Sequence, residues 1–163
     1  MRVGVLTISD RGAKGGREDE SGRLIKDMVS QIHGHVERYE IVPDDEERIA
    51  ARLKTWSDED DLDLILTTGG TGFSPRDTTP EATLSVIERL APGIAEAMRA
   101  EGLRKTPRAM LSRAVAGIRG RTLIINLPGS TKAVRESLSA ILPALPHGIE
   151  IIRGQTGECG ADS

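Results

Sequence analysis

An α/β fold, with a mostly parallel sheet and helices on both faces, is predicted from three observations. Short aliphatic runs at residues 1–9, 62–68 and 121–129 read as buried central strands. Segments with apolar residues at helical spacing lie between them. Strands that alternate with helices in this way favour parallel pairing with helices packed on either side. The 163 residues suffice for one domain with a real core. No repeat, low-complexity block or linker divides the chain, so residues 1–155 are read as a single domain and 156–163 as a mobile C-terminal tail.

The elements follow in order. MRVGVLTIS (1–9) is the first strand and runs into a charged, glycine-rich loop. In residues 22–32, Leu24, Ile25, Met28, Val29 and Ile32 recur at helical spacing. HVERYEIV (35–42) alternates and suits a strand near an edge. Residues 43–56 start a helix, with Asp44 as N-cap and Glu47 completing a capping-box pattern. LDLILTT (62–68) is the third strand. After it, Thr79 caps a helix with Pro80 first and Ala82, Leu84, Val86, Ile87 and Leu90 as its apolar residues. Residues 92–103 form another helix, 121–129 a strand running into a turn, and Ser130 caps the helix that follows. The segment LPHGIEII closes the ordered chain.

Composition narrows the function. Aromatic residues make up 2% of the chain, too few for a base-stacking platform. The net charge of −3 and the lack of a basic stripe argue against nucleic-acid binding. No apolar run approaches the roughly 18 residues of a membrane span, and VGVLTI is cut short by SDR, unlike a signal peptide. The single cysteine, Cys159, cannot form an intrachain disulfide and suits the cytoplasm. His33, His35 and His147 form no ligand cluster.

Three loops leave the C-terminal ends of strands: SDRG (9–12), TTGGTGFSPRD (67–77) and NLPGSTK (126–132). A parallel sheet brings such ends to one edge, where ligands bind. Glycine lets backbone N–H groups approach an anion, and a following helix N-terminus favours negative charge. GGTG alone is equally a tight turn. Arg76 and Asp77 in the same loop add an anion contact and a Mg²⁺ ligand to the second reading. Asp44 and Asp45 admit two readings as well. They are a helix cap and a first-turn acid, or Asp44 meets Asp77 at the sheet edge as a carboxylate pair for a metal-bound polyphosphate. No Walker, dinucleotide, zinc-hydrolase or serine-hydrolase motif is present.

The loop TTGGTGFSPRDTTPEAT (67–83) resembles the signature of the MogA/MoaB-type molybdenum cofactor biosynthesis family, which includes gephyrin-like G domains. TISDR (7–11), DESG (19–22), VPDD (42–45), PGIAEAMR (92–99), AMLSRAVAGIRGRTLIINLPGS (109–130) and LPALPHGIE (142–150) are similar to family segments in family order. The resemblance implies a three-layer α/β fold, a homotrimer and molybdopterin adenylyltransferase activity, with ATP as co-substrate and Mg²⁺ as cofactor. It places the two functional, metal-binding aspartates on Asp44 and Asp77. Substrate contacts are implied at Ser9, Asp10 and Arg11, at Gly69, Gly70, Thr71 and Gly72, at Glu96 and Arg99, and at Ser112, Asn126, Pro128, Gly129, Ser130 and Lys132. It also implies a transient contact with a metal-insertion protein. The alternatives are a MoaB-like molybdopterin-binding protein without turnover, and an unrelated nucleotide-binding regulator on a similar sheet.

Overall fold

The computed structural model describes residues 1–155, and the expected tail with Cys159 lies outside them. Among the described residues, β1 (Arg2–Ile8), β2 (His35–Val42), β3 (Leu64–Thr68), β4 (Arg89–Leu90), β5 (Ala116–Arg119) and β6 (Thr122–Leu127) form one six-stranded sheet in the order β2-β1-β3-β6-β5-β4. β1, β2, β3 and β6 run parallel. β5 and β4 continue the sheet antiparallel. β1 connects to β2 on one side and pairs with β3 on the other, so the strand order reverses at β1 and opens a crevice between the loops after β1 and β3.

Side chains alternate along the central strands and divide the core into two layers. Val3, Val5, Leu64, Leu66, Leu123 and Ile125 pack against α2 (Glu20–Ser30), α5 (Pro92–Leu103), α6 (Thr131–Ile141) and α7 (Leu145–Ile152). Leu6, Ile8, Ile65 and Ile124 face α3 (Glu46–Asp58) and α4 (Thr79–Val86) on the other side. The fold is therefore the three-layer arrangement expected. Gly4 interrupts the second face because a Cβ there would lie 2.7 Å from the Trp56 ring and 2.8 Å from Leu62. The indole occupies the space that the missing side chain leaves.

Local details depart from expectation at several points. Asp45, not Asp44, caps α3: its carboxylate accepts from the Arg48 N–H at 3.0 Å. Glu47 therefore sits at the second helical position, one short of the capping box. α4 begins one residue early, with Thr78 at the cap position and Thr79 inside the helix. It also ends at Val86, where Ile87 turns extended to lead into β4, so Ile87 and Leu90 belong to no helix. Finally, β5 and β6 form a hairpin that the sequence reading left out. Arg119 pairs with Thr122, and Gly120 takes φ +55° in the two-residue turn between them.

Candidate active site

Ser9 closes β1 and caps the short helix α1 (Asp10–Ala13), accepting from the Gly12 N–H at 3.0 Å. The glycine loop after β3 is fixed by its neighbours. Gly69 has φ +97° and Gly70 φ +69°, and a side chain at either would run into the Ile8 carbonyl or the Thr79 hydroxyl. The Thr79 hydroxyl donates to the Gly69 carbonyl at 2.9 Å. The Gly69 N–H donates to the Leu127 carbonyl at 3.2 Å, and the Thr68 hydroxyl to the Pro128 carbonyl at 2.6 Å. The Ser21 hydroxyl donates to the Gly129 carbonyl at 2.7 Å. Three loops, together with the start of α2, are thus tied into one surface at the crevice.

The cap assignment matters here. With Asp45 serving α3, the Asp44 carboxylate turns into the crevice and accepts from the Asp10 N–H at 3.1 Å. The Asp44 N–H in return donates to Asp10 Oδ1 at 3.0 Å. Arg76 pairs with the Asp10 carboxylate through two contacts of 3.1 and 3.0 Å. Asp44 Oδ1 lies 3.2 Å from where a Gly70 Cβ would be, and Asp77 Oδ2 lies 2.9 Å from the same point on Gly72. The glycine loop therefore runs between two carboxylates. Arg76 and the Asp44 N–H hold the Asp10 carboxyl below its ordinary range. Burial, then the charges of Asp10 and Asp77, push the Asp44 carboxyl above it. A cation in the crevice would relieve that repulsion.

Among the described residues, no group of three or more His, Cys, Asp or Glu side chains could hold a metal by itself. Magnesium needs no such cage, because it keeps several waters and takes one or two carboxylates beside substrate phosphates. Asp44 and Asp77 fit that demand.

The other expected substrate residues fall into distinct places. Ser9, Gly69, Gly129 and Ser130 line a cleft of about 400 Å³ with Thr68, Asp19 and Ser21. Arg99, Ser112 and Pro128 line a separate depression of about 220 Å³. Lys132 is exposed in a third groove beside Lys105 and Arg135, while Arg11 and Glu96 are exposed on α1 and α5. Thr71 is buried, and its carbonyl accepts from the Arg113 N–H at 2.8 Å.

Asn126 is fully buried. Its Nδ2 donates to the Thr67 and Thr83 hydroxyls at 3.0 and 2.8 Å, and its Oδ1 accepts from the Val115 N–H at 3.2 Å. The amide thus joins β6, β3, α4 and the residue before β5 beneath the site, and holds these elements together. Asn126→Leu removes the partners of Thr67 and Val115, with an expected cost of about 2–4 kcal/mol. Urea denaturation measures it.

Sequence reasoning missed Asp19, Ser21 and Arg113. Asp19 caps α2 through the Gly22 N–H at 2.9 Å, accepts from the Thr7 hydroxyl at 2.6 Å, and also accepts from the Tyr39 hydroxyl. DESG was legible as a segment, and an aspartate just before an apolar helical run is an N-cap signal.

Residues 4–147 match the family described as probable molybdopterin binding domain. The chain is 46% identical over 156 residues to a molybdopterin adenylyltransferase of Helicobacter pylori, covering 94% of this chain and 89% of the relative. It is 47% identical over 163 residues to gephyrin of Dictyostelium discoideum, covering 94% of this chain and 23% of that longer protein. The fold superimposes on the molybdopterin biosynthesis enzyme MoaB of Thermus thermophilus with a TM-score of 0.89 at 54% identity, over 94% of this chain and 96% of the other. These matches span the sheet, both helical layers and the crevice, and the chain belongs to the family of probable molybdopterin binding domains.

Proposed function

We propose that the protein is a molybdopterin adenylyltransferase of molybdenum cofactor biosynthesis. It transfers AMP from Mg-ATP to the terminal phosphate of molybdopterin. The observation that carries this reading is the pair of aspartates flanking the glycine loop, with Asp44 relieved of helix capping by Asp45. The names of the relatives, molybdopterin adenylyltransferase among them, support it.

In the reaction, an oxygen of the molybdopterin phosphate forms a bond to the α-phosphorus of ATP. The bond from that phosphorus to the bridging oxygen breaks, and pyrophosphate leaves with the electron pair. The attacking phosphate is already ionised at neutral pH, so the site needs no strong base. It needs charge neutralisation and alignment. Asp44 and Asp77 would hold Mg²⁺ beside the ATP phosphates, and the ion would supply that neutralisation. The pterin and phosphate contacts fall to Ser9, Asp10 and Arg11, to the Gly69–Gly72 loop, and to Ser112, Pro128, Gly129, Ser130 and Lys132, with Glu96 and Arg99 on the helix beside them.

Among the described residues, no helix is long and apolar enough to cross a membrane. On this reading the protein is cytoplasmic, forms a homotrimer and passes its product to a metal-insertion protein. The family resemblance supports the trimer and the metal-insertion partner, and the single cysteine suits the cytoplasm.

Incubation with molybdopterin and Mg-ATP should yield adenylylated molybdopterin and pyrophosphate. Chelation of Mg²⁺ should abolish turnover and change molybdopterin affinity by less than about tenfold, 1.4 kcal/mol. Molybdopterin binding without any product would favour the MoaB-like binding protein. A failure to bind molybdopterin would exclude both.

A further inference from the structure

We propose that Arg113 is the positioning residue for the Asp77 carboxylate, acting through the backbone of the loop that carries it. The proposal rests on the functional reading above. Arg113 lies in the segment before β5, remote in sequence from the glycine loop. Its Nε donates to the Gly72 carbonyl at 2.8 Å and its Nη2 to the Asp77 carbonyl at 2.7 Å. Its Nη1 pairs with Glu81 in the first turn of α4. One guanidinium therefore grips both ends of the 72–77 loop and the helix behind it.

Among the described residues, little else fixes this loop. Phe73, Ser74, Pro75 and Arg76 are exposed, so no packing immobilises them. Asp77 accepts from the Ser74 N–H at 3.1 Å, which shapes the turn but does not anchor it to the body. The Arg76–Asp10 pair is solvent-exposed, and such pairs hold weakly. The planar fork of an arginine reaches three separated acceptors from three nitrogens in a fixed geometry, whereas a lysine presents its three donors from a single nitrogen.

The surroundings of Arg113 are arranged around that task. Thr78 and Glu81 have capping-box spacing, yet the Thr78 hydroxyl makes no cap bond and Glu81 turns to Arg113 instead. Arg113 in turn holds the Glu81 carboxyl below its ordinary range. On the other side, Arg99 Nη1 donates to the carbonyls of Ser112 and Ala114 at 3.3 and 2.9 Å, fixing the residues on either side of Arg113.

Arg113→Lys tests the assignment in the full-length protein, beside wild type. Backbone amide exchange across residues 72–78 should accelerate about tenfold or more. The Mg²⁺ concentration for half-maximal turnover should rise about tenfold and kcat should fall between about tenfold and a hundredfold, as expected for a misplaced ligand. The KM for molybdopterin should stay within about threefold of wild type. A merely structural loss would lower the amount of active protein and leave its Mg²⁺ dependence unchanged. An unchanged Mg²⁺ dependence therefore overturns the proposal, whatever the exchange rates do. If Arg113→Lys does not fold, Glu81→Gln carries the test, with the same Mg²⁺ shift in smaller measure, and no shift there overturns it too. A wild type without turnover removes the functional reading and this proposal with it. An active wild type matched by an unaltered Arg113→Lys removes this proposal alone.

Discussion

Asp77→Asn should lower nucleotidyl transfer by about a hundredfold or more, roughly 2.7 kcal/mol of transition-state stabilisation, while molybdopterin still binds. Asparagine is the informative substitution because the Asp77 side chain has a local task as well. It accepts from the Ser74 N–H, and an amide oxygen can replace the carboxylate there. The turn survives and only the charge is lost. Asp77→Ala should be at least as inactive, but it also removes the turn's hydrogen bond. Product formation and molybdopterin titration, measured on both variants, separate the two contributions. An Asp77→Asn protein with near-normal turnover would remove Asp77 from the metal site.

Asp44→Asn should be impaired to a similar degree and, unlike most substitutions at a half-buried position, should raise thermal stability at neutral pH. An asparagine oxygen can still accept from the Asp10 N–H, and Asp45 keeps the cap of α3. What disappears is a charge that burial, Asp10 and Asp77 all disfavour. The sign follows from linkage. Because the folded-state pKa of Asp44 is raised, the folded protein holds that proton more tightly than the unfolded chain does. The wild-type destabilisation is absent below the unfolded pKa, develops between the two values, and is complete above the folded one. The Tm advantage of Asp44→Asn should therefore be largest at neutral pH and vanish as pH falls below the ordinary aspartate range. Thermal melts of both proteins across that range check it. A variant that is fully active would return Asp44 to a purely structural role.

The parts of the fold that were legible in sequence are those with strong, repeated patterning. β1, β3 and β6 are aliphatic runs because both faces of the sheet are covered, and β2 alternates because it lies at an edge. β5 has four residues, two of them alanine and glycine, and carries no such pattern. Ile87 and Leu90 continued the helical period of α4 although the backbone had already become extended. The cap of α3 was ambiguous because Asp44 and Asp45 are chemically identical, and only the backbone decides which one bonds the helix. The approach of Asp44 and Asp77 to one sheet edge was offered by the strand order as well as by motif resemblance. Arg113 was not found, because it grips backbone carbonyls 36 and 41 residues away and leaves no spacing to recognise.

The ties that assemble the crevice also have a consequence for how the chain folds. Ser21 reaches Gly129 across 108 residues, Arg76 reaches Asp10 across 66, and Thr68 reaches Pro128 across 60. No contiguous segment contains a site of its own, and contacts of such long range are slow to form. Ligand affinity therefore arises late, once the sheet has closed around β1. On the proposed function, a partly folded chain gains nothing from molybdopterin or nucleotide, whereas the complete one is stabilised in proportion to the logarithm of ligand concentration. Added substrate should shift the whole unfolding transition upward as one cooperative step, and the abundance of its substrates would then help set the lifetime of the protein against proteolysis.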